Sequence, residues 1–244
     1  MKRDNLIPMV VFYMLVVCIF LGLACLGSEV TSTIAETRPV PRDHTIVIDA
    51  GHGGEDGGAT SCSGRLESGY NLEIALKLGD LLHLLGYQTK MIRTRDESIY
   101  REGSTIAAKK VSDLKERVRI VNDTENAILI SIHQNTFPDS QYHGAQVFYG
   151  PKGDSQILAE SIQRSFCETL NPGSNRKIKK ADGIYLMQHI DCTGILVECG
   201  FLSNPTEDAL LRSREYQQKV VCVLGGTLSR FLTESSGAGI IKEK

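Results

Sequence analysis

Apolar residues fall along this chain in two rhythms that alternate. Short runs rich in β-branched residues, at Thr45–Asp49, Gln88–Arg93, Ala127–Ile132, Ala145–Tyr149 and Ile195–Val197, have the length and composition of buried strands. Between them, Glu67–Leu85, Asp113–Val121, Ser155–Thr169 and Glu215–Thr233 carry apolar residues at helical spacing. Gly86 is placed to stop the first of these helices, and Ser112 to cap the second. Ile184–Met187 reads as one more strand, Asn171–Asp182 as a loop, and the chain from Glu234 as a frayed tail. Such alternation predicts one α/β domain over about residues 44–233, a largely parallel twisted sheet flanked by helices.

The helical wheel of Glu67–Leu85 sorts its polar residues. Ile74, Ala75, Leu78, Leu81, Leu82 and Leu85 share one arc, and Glu67 projects onto that arc at the N-terminal end. A carboxylate on a buried face needs a partner. Glu73 falls on the other side, one turn from Lys77, as half of a solvated pair, and His83 faces solvent.

Ahead of the domain, Leu6–Gly27 is an unbroken apolar run of 22 residues behind Lys2 and Arg3, long enough to cross a bilayer as a helix. The basic end predicts a cytoplasmic N-terminus and an extracytoplasmic domain. With no clean cleavage site after the run, an uncleaved signal anchor over residues 1–27 is expected, or a secreted protein if it is cut. Residues 28–43 read as a polar tether.

A formal net charge of −2 argues against nucleic acid as the main partner. Seven cysteines without a CxxC pair, five of them beyond the apolar run, support neither a disulfide framework nor a cysteine-rich metal knuckle.

Candidate chemistry gathers at the ends of the predicted strands. The first strand runs into the glycine-rich turn AGHGGEDGGA, with His52 at its apex. Alone, this turn is equally an ordinary turn with a surface histidine; it has neither the GxxxxGK[ST] nor the GxGxxG pattern of a phosphate loop. Ala127–Ile132 also finishes in a histidine, His133, and the last strand delivers Glu198. Two imidazoles and a carboxylate at one sheet edge, with a second carboxylate nearby, are the ligand set of a catalytic zinc with an open position. His52, Glu67 and His133 are the candidate ligands of one ion, and Glu198 the group that takes a proton from water and returns it to a leaving nitrogen.

In IVIDAGHGGEDGGA, ESGYNLEIA, RVRIVND with SIHQN, and ILVECGFLSNP, in that order over about Thr45–Leu232, the chain resembles the zinc-dependent N-acetylmuramoyl-L-alanine amidases of bacterial cell walls. The resemblance implies an α/β fold, zinc on His52, Glu67 and His133, and Glu198 as the catalytic carboxylate. It also implies peptidoglycan as substrate, cut at the amide between N-acetylmuramic acid and L-alanine. Asn135 is a candidate substrate contact or a turn-forming residue. An anchor leading straight into a bare catalytic domain is similar to the amidases of sporulation, which act on cortex peptidoglycan before muramic δ-lactam formation. Whether a protein activator is needed is not legible in the sequence. Two departures from the family pattern, Cys192-Thr193-Gly194 and Glu97–Val111, touch no ligand.

Three other readings compete. A Cys199/His133 hydrolase is one, although strand alternation turns Cys199 away from Glu198. A two-metal exopeptidase would recruit Asp49 and Glu55. A tethered, non-catalytic wall-binding protein is the third.

Overall fold

A computed structural model describes residues 43–240, with side chains to residue 234, and the isolated Met14. The expected anchor and all but Asp43 of the tether therefore lie outside the described residues, Met14 apart. Among the described residues no helix is long and apolar enough to cross a membrane.

The elements in chain order are β1 (Thr45–Ala50), α1 (Glu67–Leu84), β2 (Gln88–Met91), α2 (Ile106–Asn122), β3 (Ala127–Asn135), β4 (Gln146–Tyr149), α3 (Ser155–Thr169), β5 (Lys179–Lys180), α4 (Tyr185–His189), β6 (Thr193–Phe201), α5 (Pro205–Arg212) and α6 (Arg214–Ile240). The strands form one sheet in the order β2-β1-β3-β6-β4-β5. Pairings β1–β2, β1–β3, β3–β6 and β4–β5 are parallel, and β4 runs antiparallel to β6. The sheet is thus mixed, with β1, β3 and β6 at its centre.

Period-two alternation decides which residues meet which layer. Ile46, Ile48, Ile128, Ile130, Ile132, Ile195 and Val197 point to the face covered by α1, α3 and α6, in a core with Ile74, Leu78, Leu158, Phe166 and Leu224. Val47, Leu129 and Leu196 point to the opposite face and pack with Leu186, Met187 and Ile190 around α4. By the same parity Asp49, His133 and Glu198 stand on this second face, whereas Cys199 falls into the first core.

Several expectations are corrected. Helix α2 begins at Ile106, with Thr105 Oγ1 accepting from the Ala108 amide at 3.2 Å; Ser112 instead accepts from the Arg101 and Glu102 amides. Its first turns are mostly exposed and give no apolar rhythm to read. Ile184–Met187 is not a strand: Tyr185–His189 turns as a short helix. Helix α5 was not foreseen, although Asn204, accepting from the amides of Thr206 and Glu207, and Pro205 at its first turn are a start signal. Helix α6 continues past Thr233 to Ile240, where a frayed tail is expected from sequence. Glu73 pairs with Arg65 at 2.7 Å and with Gln217 at 2.8 Å rather than with Lys77, whose ammonium donates to Gln217. The helical wheel places residues on a face, but it does not show which neighbouring element meets that face.

Candidate metal centre

β1 ends at Ala50, and the chain then leaves the sheet through His52 in a left-handed conformation, φ 61°. A non-glycine residue there is strained by about 1–3 kcal/mol and persists only where its surroundings hold it. Two buried arginines do so. Arg93 donates from Nε to the Ala50 carbonyl at 2.8 Å, and from Nη2 to the carbonyls of Gly51 at 3.0 Å and Ser68 at 2.9 Å. Arg117 donates to the carbonyls of Ala50 at 3.0 Å and His52 at 2.8 Å. Its charge is met by Asp49 and Asp113, and the second oxygen of Asp49 accepts from Ser131 Oγ at 2.7 Å. The strand-end carbonyls are therefore satisfied by side chains, and the turn is fixed.

The structure brings His52, Glu67 and His133 together, one donor atom of each lying within 4.8 Å of the others. Glu67, the first residue of α1, lies between the imidazoles: Oε2 is 3.3 Å from His52 Nε2, and Oε1 is 3.0 Å from His133 Nδ1. Oε2 also accepts from the Ala59 amide at 3.0 Å, and Oε1 from Asn71 Nδ2 at 3.1 Å and the Gln134 amide at 3.2 Å. Asn71 stands one helical turn after Glu67, so their i,i+4 spacing puts both on one face. That spacing was the available sequence signal for Asn71. Arg117 and Asp56 carried none beyond their place in the motifs, and Arg93 none beyond its place at the end of a predicted strand.

Two glycines let these side chains close in. A Cβ at Gly51 would stand 2.1 Å from His133 Nε2. One at Gly58, where φ is 70°, would stand 2.6 Å from Glu67 Oε2 and 2.7 Å from His52 Cδ2. The space beside them is filled by the site's own groups.

A metal ion fits the triad on three observations. One donor atom each from His52, Glu67 and His133 lies within 4.8 Å of the others, a span that a single ion with bonds of about 2.1 Å can draw together. His52 Nδ1 lies 2.9 Å from Asp56 Oδ2, which fixes the ring and turns Nε2 toward the site. Lys110 in turn holds Asp56 at 2.7 Å. The electrostatics also call for positive charge. Burial works against the Glu67 carboxylate, yet hydrogen bonds from His133 and His52 outweigh it and hold its carboxyl well below the ordinary range. Burial likewise disfavours the His52 cation, but hydrogen bonds to Glu67 and Asp56 lift it to about 9.

Glu198 stands beside the triad, level with His133 in the β3–β6 register. Burial pushes its carboxyl up to about 7, with the His133 charge opposing and the Glu67 charge adding. Its Oε2 is buried with no hydrogen-bond partner. A buried carboxylate oxygen left unpaired costs free energy unless a ligand completes it. His133 and Glu198 lie inside their strands rather than after them, because β3 and β6 run on to Asn135 and Phe201. Asn135, past a register shift, pairs with Phe201 and accepts from the Leu202 amide at 2.8 Å through its carbonyl.

The competing chemistries lose their residues. Cys199 is wholly buried, and burial pushes its thiol far above the ordinary range, so it is no nucleophile. Asp49 spends its oxygens on Arg117 and Ser131, and Glu55 holds Lys109 at 2.8 Å, so both carboxylates that a two-metal site would recruit are already engaged.

The model of the N-acetylmuramoyl-L-alanine amidase family matches residues 46–224. The chain is 39% identical over 191 residues to a germination-specific N-acetylmuramoyl-L-alanine amidase of Bacillus subtilis, covering 78% of this chain and 80% of that protein. It is 30% identical to a probable cell wall amidase of Staphylococcus epidermidis, spanning 54% of that protein's length. Among solved structures it is similar to the CwlD amidase of Clostridioides difficile, solved in complex with the GerS lipoprotein. The TM-score is 0.74 at 36% identity, over 78% of this chain and 98% of that one.

Proposed function

Since this chain belongs to the family of N-acetylmuramoyl-L-alanine amidases, we propose that His52, Glu67 and His133 hold one catalytic zinc ion and that Glu198 moves the proton. The bond cut is the amide between the lactyl group of N-acetylmuramic acid and L-alanine in peptidoglycan. The observation that carries this reading is the donor triad with the unpaired Glu198 oxygen beside it.

When bound, zinc supplies Lewis acidity to the scissile carbonyl and brings the ionisation of water into the neutral range. The chain's own groups do the rest. Glu67 supplies the negative charge that retains the ion, and Asp56 keeps the His52 ring oriented. Glu198 takes a proton from the attacking water and passes it to the departing alanine nitrogen, a double duty open to a carboxyl whose buried oxygen no protein group occupies. Asn135, at the end of β3, helps to place the substrate.

The similarity to a germination-specific amidase supports spore cortex as the form of peptidoglycan attacked. The complex formed by the Clostridioides difficile amidase with a lipoprotein supports a protein partner here as well. The cell wall amidases among its relatives support action outside the cytoplasm, with residues 6–27 as the anchor.

Full-length protein incubated with purified peptidoglycan and zinc releases stem peptides that begin with a free alanine amine, detected by mass spectrometry. If none appear even with a partner lipoprotein supplied, the reading fails. Asp56→Ala frees the His52 ring and weakens zinc affinity about 10–100-fold, measured by competition with a chromophoric chelator.

A further inference from the structure

The basic loop between α3 and α4 has no part in the chemistry above, yet one of its cations is built into the neighbourhood of Glu198. Gln146 is opposite Glu198 in the antiparallel β4–β6 pairing, so their side chains share a face. Gln146 Oε1 accepts from Arg176 Nη1 at 3.2 Å, and Arg176 Nε donates to the His143 carbonyl at 2.7 Å. The Arg176 guanidinium thereby lies over the Phe201 ring, 4.6 Å from its centroid. Tyr142 stacks on Phe201 at 6.3 Å, and Phe137 meets Tyr142 edge-on at 4.7 Å. Outward from Gln146, the cross-strand neighbour of Glu198, an arginine and three aromatic rings thus follow one another.

The outer two rings are open to solvent, Phe137 at 48% and Tyr142 at 42% exposure. Tyr142 also lines a cleft of about 550 Å³ whose wall includes Gln141, His143, Ser174, Asn175 and Arg176, and no carboxylate. A pyranose ring is matched to such a surface. Its C–H faces are weakly positive and lie against the negative face of an aromatic ring, while its hydroxyl and acetamido groups need amides, hydroxyls and a guanidinium as partners. The smaller cleft of about 230 Å³ that contains His52 and His133 is lined by Lys110 and Asp113 together with apolar Leu114, Ile184 and Leu196, and it is where the scissile amide would enter.

We propose that Phe137, Tyr142 and Arg176 form a binding platform for the glycan strand of the substrate, holding sugar rings beside the muramic acid whose amide reaches Glu198. This rests on the amidase reading for its place in catalysis. Phe137 and Tyr142 are specificity determinants for long glycan chains over isolated muropeptides.

Two measurements on the full-length protein test it. The first is affinity for peptide-free glycan strands, followed by calorimetry. Wild type binds, Tyr142→Ala and Phe137→Ala each bind at least fivefold more weakly, and Tyr142→Phe, which keeps the stacking ring, restores binding to within twofold. The second is the ratio of kcat/KM on long-chain peptidoglycan to kcat/KM on a single-sugar muropeptide, which falls at least fivefold in Tyr142→Ala. No glycan binding by wild type, equal binding by the alanine variants, or an unchanged ratio overturns the platform. If wild type cleaves neither substrate even with a partner lipoprotein supplied, the amidase reading fails, and the glycan-binding measurement alone then decides the platform.

Discussion

Replacing Glu198 with glutamine lowers the rate of amide hydrolysis by about 10²–10⁴-fold, the usual yield of a positioned acid–base group, while zinc stays at one ion per chain. The substitution keeps the shape of the side chain and removes its ability to take a proton. Its environment makes the residue costly to lose. Glu198 is partly buried, level with His133, and has a buried oxygen that no protein group satisfies. Because no hydrogen bond from the protein depends on that oxygen, the fold tolerates the amide. Turnover on purified peptidoglycan, read with zinc content by atomic absorption on the same sample, checks this. Loss of zinc together with activity would instead make Glu198 a ligand and reverse its division of labour with Glu67.

The second large effect belongs to His52. His52→Ala leaves two ligands, so zinc content falls from one ion per chain to below about a tenth, and hydrolysis falls to background. A stability measurement separates this from misfolding. At a free zinc concentration 100 times its Kd, wild type gains about 2.7 kcal/mol against unfolding. The variant gains none, yet in chelator it still unfolds in one cooperative transition, at a midpoint lowered by the loss of the His52 pairs with Glu67 and Asp56. His52 is only partly buried and belongs to neither hydrophobic core cluster, so its loss leaves both cores packed. A variant that still binds zinc at the wild-type stoichiometry would exclude His52 from the site.

Much of the architecture was legible because it repeats a short pattern. The β1 start, the α1 start and the whole of α3 were read from apolar spacing, and strand parity alone sent Cys199 away from Glu198. The misread segments, the first turns of α2 and the short helix α4, are a largely exposed stretch and a five-residue helix. Neither is long or apolar enough to show a period. Direction was equally hidden, since a four-residue run like Gln146–Tyr149 looks the same whether it pairs parallel or antiparallel.

At the site, sequence alone nominated His52, Glu67, His133 and Glu198, because each residue type has its own chemistry and three of the four stand at or near predicted strand ends. It also located the glycine-rich turn, without showing what its glycines make room for. Only the tertiary structure decided that Gly51 and Gly58 make room for His133, Glu67 and His52, that Asp56 orients His52, and that Arg93 and Arg117 hold the strained turn. The physical reason is separation along the chain. Asp49 and Arg117 are 68 residues apart and His133 and Glu67 are 66, and nothing local encodes which of many charged residues will meet. Periodicity assigns a residue to a face; contact between faces exists only after the sheet has assembled.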